Sequence, residues 1–369
     1  MRIEQVDLVH VQVPLVEPFR ISTASVDVKD AIICRIRSEG IEGIGESSPM
    51  SGSFYSADTP ESCIDVLREL LIPRLLGREI SGPQEFHDVM ADVPGNLFAK
   101  AGLEMALWDL EARRLERPLY DLLGGAGGDI PSGVAIGIYD TLDALLHRVE
   151  TFLSHGYERV KIKIKPGWDV KPVSEVRRVF GDIPLMVDAN AAYSLADARI
   201  FQELDEFHLT MFEQPFPGHA LDDLATLQSM IETPICLDEG AETLELVQRA
   251  VSIDAGRIVN IKLQRVGGLG PAVKIHDYCM AHDVPVWCGY MPELGVSTAC
   301  GIHLSTLPGF AVPGDIEPSL RWFIDDITDP LIAMSSPGRI AIPDLPGIGF
   351  ELDAKKVEKY KVWEESFRG

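Results

Sequence analysis

Positive charge is in short supply: 33 Lys and Arg stand against 57 Asp and Glu in 369 residues, a formal net charge of −24 at pH 7. Nucleic acid and anionic lipid would meet a repulsive field, and no Lys/Arg run interleaved with aromatics offsets it, so neither is an expected partner. No apolar run approaches the roughly 18 residues of a spanning helix, which argues against a bilayer role. The opening MRIEQVDLVHVQVPL alternates apolar and polar residues and carries Glu4 and Asp7, unlike the apolar stretch of an export signal, so the expected location is cytoplasmic. Cysteine is sparse. Cys34, Cys63, Cys236, Cys279, Cys288 and Cys300 form no CxxC pair and several sit in apolar runs, which reads as core thiols rather than disulfides. Also missing are a GxSxG elbow, an HExxH helix and a Walker A loop, and neither GGAGGD nor GGLG continues as GxGxxG after a strand. The nine histidines lack metal-ligand spacing, so His276, His282 and His303 read as structural.

What is present is enough apolar material for a large core: 46% hydrophobic residues over a length of about two and a half typical domains. VDLVHVQVP, DAIICRIRS and GIEGIGESSP read as antiparallel strands. ESCIDVLRELLIPRLL and FAKAGLEMALWDLEARRL then place apolar residues three and four apart, so helices follow, and residues 1–123 are expected to form an α+β domain. The glycine-rich joint GGAGGD opens a second region, residues 124–321. There VAIGIY, RVKIKIK, PLMVDAN, LTMFEQP, PICLDE, RIVNIKL and PVWCGY recur about every 25 residues, with a weaker eighth run around 302–306 or 310–315. Strand and crossover helix at this period make right-handed βαβ units, and about eight of them close into an α/β barrel. The tail, residues 322–369, lies beyond the barrel and is expected to return to the first domain.

Side chains alternate along a barrel strand, so an ionisable residue at its C-terminal end points into the mouth. Lys163, Asp188, Glu213, Asp238 and Lys262 end five consecutive runs at spacings of 24 or 25 residues. Three converging carboxylates repel one another, and a hard divalent cation with oxygen ligands relieves that repulsion, so Asp188, Glu213 and Asp238 are assigned to one metal, Mg²⁺. Open positions on such a metal suit a substrate carboxylate. Lys163 and Lys262 flank it as candidate bases, since a neighbouring cation and desolvation both disfavour a charged lysine. Lys161, on the face of Lys163, is expected to bond the substrate carboxylate and lower the Lys163 pKa; the alternative is an ion pair within the barrel. Asn190 and Asn260 also face inward, either behind the metal ligands or simply as satisfied polar groups of the lumen. Glu239 follows Asp238 and is expected to curl toward Lys262.

The segments KIKIKPGWDV, VDANAAYSLADA, FEQPF, TPICLDE, NIKLQRVGGL, PVWCGYMPELG and LPGFAVPGDI, in this order, resemble the enolase superfamily. Within it they are most similar to the muconate-lactonising branch and its o-succinylbenzoate synthase and N-succinylamino acid racemase group. The resemblance implies a (β/α)7β modified TIM barrel with an α+β capping domain, Mg²⁺ (or Mn²⁺) on the three carboxylates, and Lys163 and Lys262 as acid/base residues acting through an enediolate. It implies a lyase that dehydrates a succinyl-hydroxycyclohexadiene carboxylate for menaquinone, an isomerase that racemises N-acylamino acids, or both. Dipeptide epimerisation, another cycloisomerisation and a carboxylate-binding barrel without turnover are the alternatives. The partner is a small-molecule carboxylate, and the group implies a homo-oligomer. Loops over residues 19–25 and 50–55 should act as lids, bringing Phe19, Met50 and Tyr55 to the substrate. PVWCGY lacks the histidine of the mandelate-racemase branch, which favours paired lysines. Gly240, Tyr290, Met291, Pro292 and Glu317 sit at specificity positions, several departing from the group's pattern. Glu317 is expected to place negative charge where a succinyl carboxylate would lie, favouring a neutral or cationic distal end.

Overall fold

A computed structural model describes residues 1–21, 24–52, 55–310 and 312–369. The first three strands, Gln5–Arg20, Ser25–Ser38 and Ile41–Ser47, form an antiparallel sheet whose free edge is taken by the last strand, Lys361–Arg368. Val6 pairs with Phe367 on one side and Ile36 on the other, so the chain's two ends lie together in this cap. The helix Leu97–Arg114 packs across the sheet at close range. A Cβ on Gly43 would stand 2.2 Å from the Ala106 carbonyl oxygen, and one on Gly45 2.1 Å from that of Gly102, so only glycine lets the helix approach. Its other side faces the barrel, which explains why Phe98 to Leu110 are buried throughout, including Glu104 and Asp109.

The barrel sheet has seven parallel strands in sequence order: Val134–Ile136, Val160–Lys163, Leu185–Asp188, Phe212–Glu213, Ile235–Leu237, Ile258–Ile261 and Val286–Cys288. The eighth run corrects one expected placement: residues 302–304 are the end of the helix Gly295–Leu304. The closing segment is 310–315, where Phe310 bridges Val286 and Gly314 bridges Ser132. The Asp315 N–H donates to the Cys288 carbonyl (3.0 Å) and the Gly133 N–H to that of Gly314 (2.7 Å), joining the seventh strand to the first. Among the described residues of this run no regular strand forms, which matches the weak pattern; Ala311 lies outside them. Met186, Met211, Cys236, Ile258 and Trp287 fill the lumen as a separate apolar cluster beneath the mouth. All six cysteines are free and buried, and no described helix is long and apolar enough to cross a membrane.

Cap and barrel are joined by buried carboxylates of the cap that accept backbone amides. Glu104 takes the N–H groups of Leu269 and Gly270, both at 2.7 Å, at the start of the barrel helix Leu269–Ala281. A carboxylate there also meets the positive end of the helix dipole. Asp109 accepts from Ile44 and Ile348, each at 2.8 Å. His303 completes the seam as a neutral ring: Tyr120 donates its N–H to Nδ1 (3.2 Å), so Nε2 carries the proton given to the Ile348 carbonyl (3.0 Å).

Candidate active site

Parallel pairing sets the rim in one row, because Lys163 lies beside Asp188 on the next strand and Asp188 beside Glu213 on the one after. Asp238 and Lys262 stand one residue past the ends of their strands. Oxygen atoms of Asp188, Glu213 and Asp238 lie within 4.8 Å of one another, and all three residues are fully buried. Lys163 Nζ donates to Asp188 Oδ2 and Lys262 Nζ to Asp238 Oδ2, each at 2.6 Å. The lysines belong to the second and sixth barrel strands, which in an eight-unit ring places them on opposite sides of the mouth. Each faces an aromatic ring from the cap: Phe19 is centred 5.9 Å from Lys163 Nζ, and Tyr55 5.2 Å from Lys262 Nζ.

Burial alone would raise all three carboxylates. For Asp188 the cations Lys163 and Lys161 outweigh it, and for Asp238 Lys262 and Arg265 do, so both fall below the ordinary carboxylate range. Glu213, buried and repelled by Asp188, is pushed up to about 7. Burial pulls Lys262 down, but Asp238 more than compensates, so its pKa stands well above that of a free lysine. Asp238 is the cause, and the expected lowering by a neighbouring cation is a separate contribution.

Lys161 is held among carboxylates. Its Nζ bonds Asp315 Oδ2 and Glu213 Oε2, the latter at 3.0 Å, with Asp188 Oδ2 at 3.7 Å. Burial lowers its pKa, but Asp315, Glu213 and Asp188 outweigh that and raise it. The ion pair within the barrel is thus the arrangement found. Asn190 accepts from Lys163 Nζ (2.9 Å) and donates its backbone N–H to Asp188 (2.9 Å), while Asn260 Nδ2 donates to Glu213 Oε1 (2.7 Å). Both therefore lie directly behind the triad. Glu239 Oε2 is buried with no hydrogen-bond partner among the described residues, and burial and Asp238 push its carboxyl up to about 8. It makes no hydrogen bond to Lys262 among them either.

Met50, Tyr290 and Met291 share one buried apolar cluster, against which Phe19 and Tyr55 pack. The loop expectations cover Ser22, Thr23, Ser53 and Phe54, which lie outside the described residues. Glu317 is buried, accepts the N–H of Ala135, a member of the same apolar cluster (3.2 Å), and pairs with Arg321 Nε (3.0 Å). Its charge is taken up inside the protein, so the argument for a neutral or cationic distal end loses its basis.

Sequence reasoning passed over three residues. Arg265 bonds Asp238 from the helical turn after Lys262; Asp315 joins Lys161 to Arg159; and Gln214 Oε1 accepts the N–H groups of Asp238 (2.8 Å) and Gly240 (2.9 Å). Their signal was within reach, since all three sit inside the quoted segments NIKLQRVGGL, LPGFAVPGDI and FEQPF.

Residues 3–124 match the mandelate racemase / muconate lactonizing enzyme N-terminal domain, and residues 144–356 the enolase C-terminal domain-like family. The chain belongs to this family. It is an enzyme of the enolase superfamily, and the family's two domains are the cap and the barrel. An o-succinylbenzoate synthase of Geobacillus kaustophilus is 44% identical over 100% of this chain and 98% of its own length. An N-succinylamino acid racemase of an Amycolatopsis species is 42% identical over 95% of each chain. The crystal structure of an enolase-superfamily member from Listeria innocua superposes with a TM-score of 0.96 at 38% identity, covering 100% of this chain and 99% of the other. Family members thus share the cap as well as the barrel.

Proposed function

We propose that this chain removes the proton α to the carboxylate of a small substrate, acting as an o-succinylbenzoate synthase, as an N-acylamino acid racemase, or as both. The observation that carries the reading is the pair of lysines on opposite sides of one carboxylate triad, Lys163 on Asp188 and Lys262 on Asp238. The relatives from Geobacillus kaustophilus and Amycolatopsis, alike over nearly the whole chain, support these two activities.

The residues present fit a metal. Asp188, Glu213 and Asp238 offer only hard oxygen donors, the set that Mg²⁺ or Mn²⁺ takes, and the unpartnered Glu239 Oε2 adds a further buried carboxyl oxygen nearby. A bound cation would neutralise the substrate carboxylate and so acidify the neighbouring C–H. The chain's own residues do the rest. Lys262 is held in its charged form by Asp238, so weakening that contact leaves burial to dominate and frees a base. For racemisation, one lysine takes the proton from one face of the α-carbon and the other returns a proton to the opposite face. For dehydration, a lysine takes the α-proton, the adjacent C–O bond breaks, and the hydroxyl leaves as water after protonation by a lysine. Phe19 and Tyr55 exclude water above the two Nζ atoms.

The test is proton NMR in D₂O with Mg²⁺, on N-succinyl and other N-acylamino acids, dipeptides and the cyclohexadiene substrate. We expect loss of an α-proton signal or appearance of the aromatic product with N-succinyl or cyclohexadiene compounds. Absence of both, with Mg²⁺ bound, would overturn the reading, and response of the dipeptides alone would move it to an epimerase.

A further inference from the structure

The proposed chemistry leaves a second buried polar cluster without a task. Glu46, at the end of the third cap strand, is fully buried and uses both carboxylate oxygens. Oε1 accepts Ser48 Oγ–H (2.9 Å) and the Leu294 N–H (2.8 Å), and Oε2 accepts the Ser297 N–H (2.9 Å). Gln264, also fully buried, accepts the Ser48 N–H (3.0 Å) and donates to the Glu46 carbonyl (2.7 Å) and to Ser297 Oγ (3.0 Å). Lys29 Nζ donates to the Ser48 carbonyl (2.9 Å).

Three segments of the mouth meet at this junction. Ser48 starts the cap segment that carries Met50 and leads to Tyr55, whose hydroxyl donates to Asp238 Oδ1 (3.2 Å). Leu294 ends the barrel loop that carries Tyr290 and Met291. Gln264 is two residues past Lys262. The junction touches neither Lys163 nor Lys262, yet every wall residue expected on this side of the mouth is chained to it within four residues, Tyr55 excepted.

We propose that Glu46 and Gln264 are positioning residues that lock the cap segment and the 290–294 barrel loop into a single wall, so that loss of either residue loosens both segments together. This rests on the reading of the mouth as a substrate site. An amide in place of the Glu46 carboxylate would turn an N–H₂ group toward at least one donor, and the lock would open.

Glu46→Gln and Gln264→Ala in the full chain test it, read in two ways. By hydrogen exchange with mass spectrometry, each variant should speed exchange about tenfold or more in both the 48–52 and the 289–297 segments, leaving 104–112 unchanged. With whichever substrate responds in the NMR assay, KM should rise about tenfold while kcat stays within about threefold. Exchange that quickens on one side only, or KM and kcat that follow only the loss of folded protein, overturns the proposal. If Glu46→Gln fails to fold because Lys29 keeps only Glu293 and Asp30 as nearby negative charge, Lys29→Met/Glu46→Gln carries the same test. Failure of the functional reading would show as no turnover by the wild type, with the exchange result still decided.

Discussion

At the barrel mouth, Asp188, Glu213 and Asp238 are met chiefly by side-chain cations, whereas at the seam between cap and barrel Glu104 and Asp109 are met chiefly by backbone amides. Both sets are buried, and burial penalises both. A side-chain ammonium can be displaced by another cation or lose its proton; a backbone N–H can do neither. The mouth therefore holds charge that is free to be redistributed, and the seam holds charge fixed by the fold. Substitutions should separate the two regions, the first reducing chemistry at nearly constant stability and the second reducing stability at nearly constant chemistry.

The largest effect is expected from Lys163→Ala and Lys262→Ala. With Mg²⁺ saturating, α-proton exchange should fall by about 10²–10⁴-fold, each variant losing exchange from one enantiomer. The melting temperature should change little, which NMR and thermal unfolding on the same samples would establish. Variants that both retain exchange would end the division of labour drawn here.

Next comes acid. Burial pushes His303 down to about 4, below the 6.5 of a free imidazole. Its stabilisation is therefore complete above pH 6.5 and is lost as pH falls toward about 4, a change of about 3 kcal/mol. Asp109 runs the other way: burial pushes it up to about 6, so its term weakens as pH rises from about 4 to 6. The difference profile, wild type against His303→Gln by urea unfolding between pH 4 and 7, isolates the histidine. A flat difference would remove His303 from the seam. Somewhat smaller is Glu104→Gln, which leaves one of the Leu269 and Gly270 amides without an acceptor. It should cost about 1–3 kcal/mol of stability with kcat unchanged.

This division also explains what could be read from the sequence. The mouth was legible because strands of one period carry one ionisable residue each, so spacing alone places Lys163, Asp188, Glu213, Asp238 and Lys262 on one rim. The seam was not, because its partners are backbone groups, which have no sequence identity. Glu104 and Asp109 sit in FAKAGLEMALWDLEARRL as two acids on an ordinary helix until a second domain covers them. The partners of Lys161 and Glu317 are not legible for a related reason. Asp315 and Arg321 lie in the irregular closing segment and just beyond it, where no periodicity fixes which way a side chain points.

The smallest effect expected sharpens the comparison from within the mouth. Asn260 is neutral and bound to Glu213 through Nδ2, and a Cβ on Gly289 would stand 2.0 Å from its Oδ1, so the next strand clamps the amide in place. It behaves like a seam group inside the functional site: it orients a carboxylate without balancing its charge. Asn260→Ala should weaken Mg²⁺ binding about tenfold, measured by calorimetry, with kcat at saturating Mg²⁺ nearly retained. The sign with pH follows from Glu213, which burial and Asp188 already push up to about 7. Losing the Asn260 hydrogen bond raises it further, so protons compete better with the metal, and raising the pH should recover part of the lost affinity. Affinity unchanged at every pH would mean that orientation contributes nothing at the mouth, and that its side-chain cations alone keep the triad together.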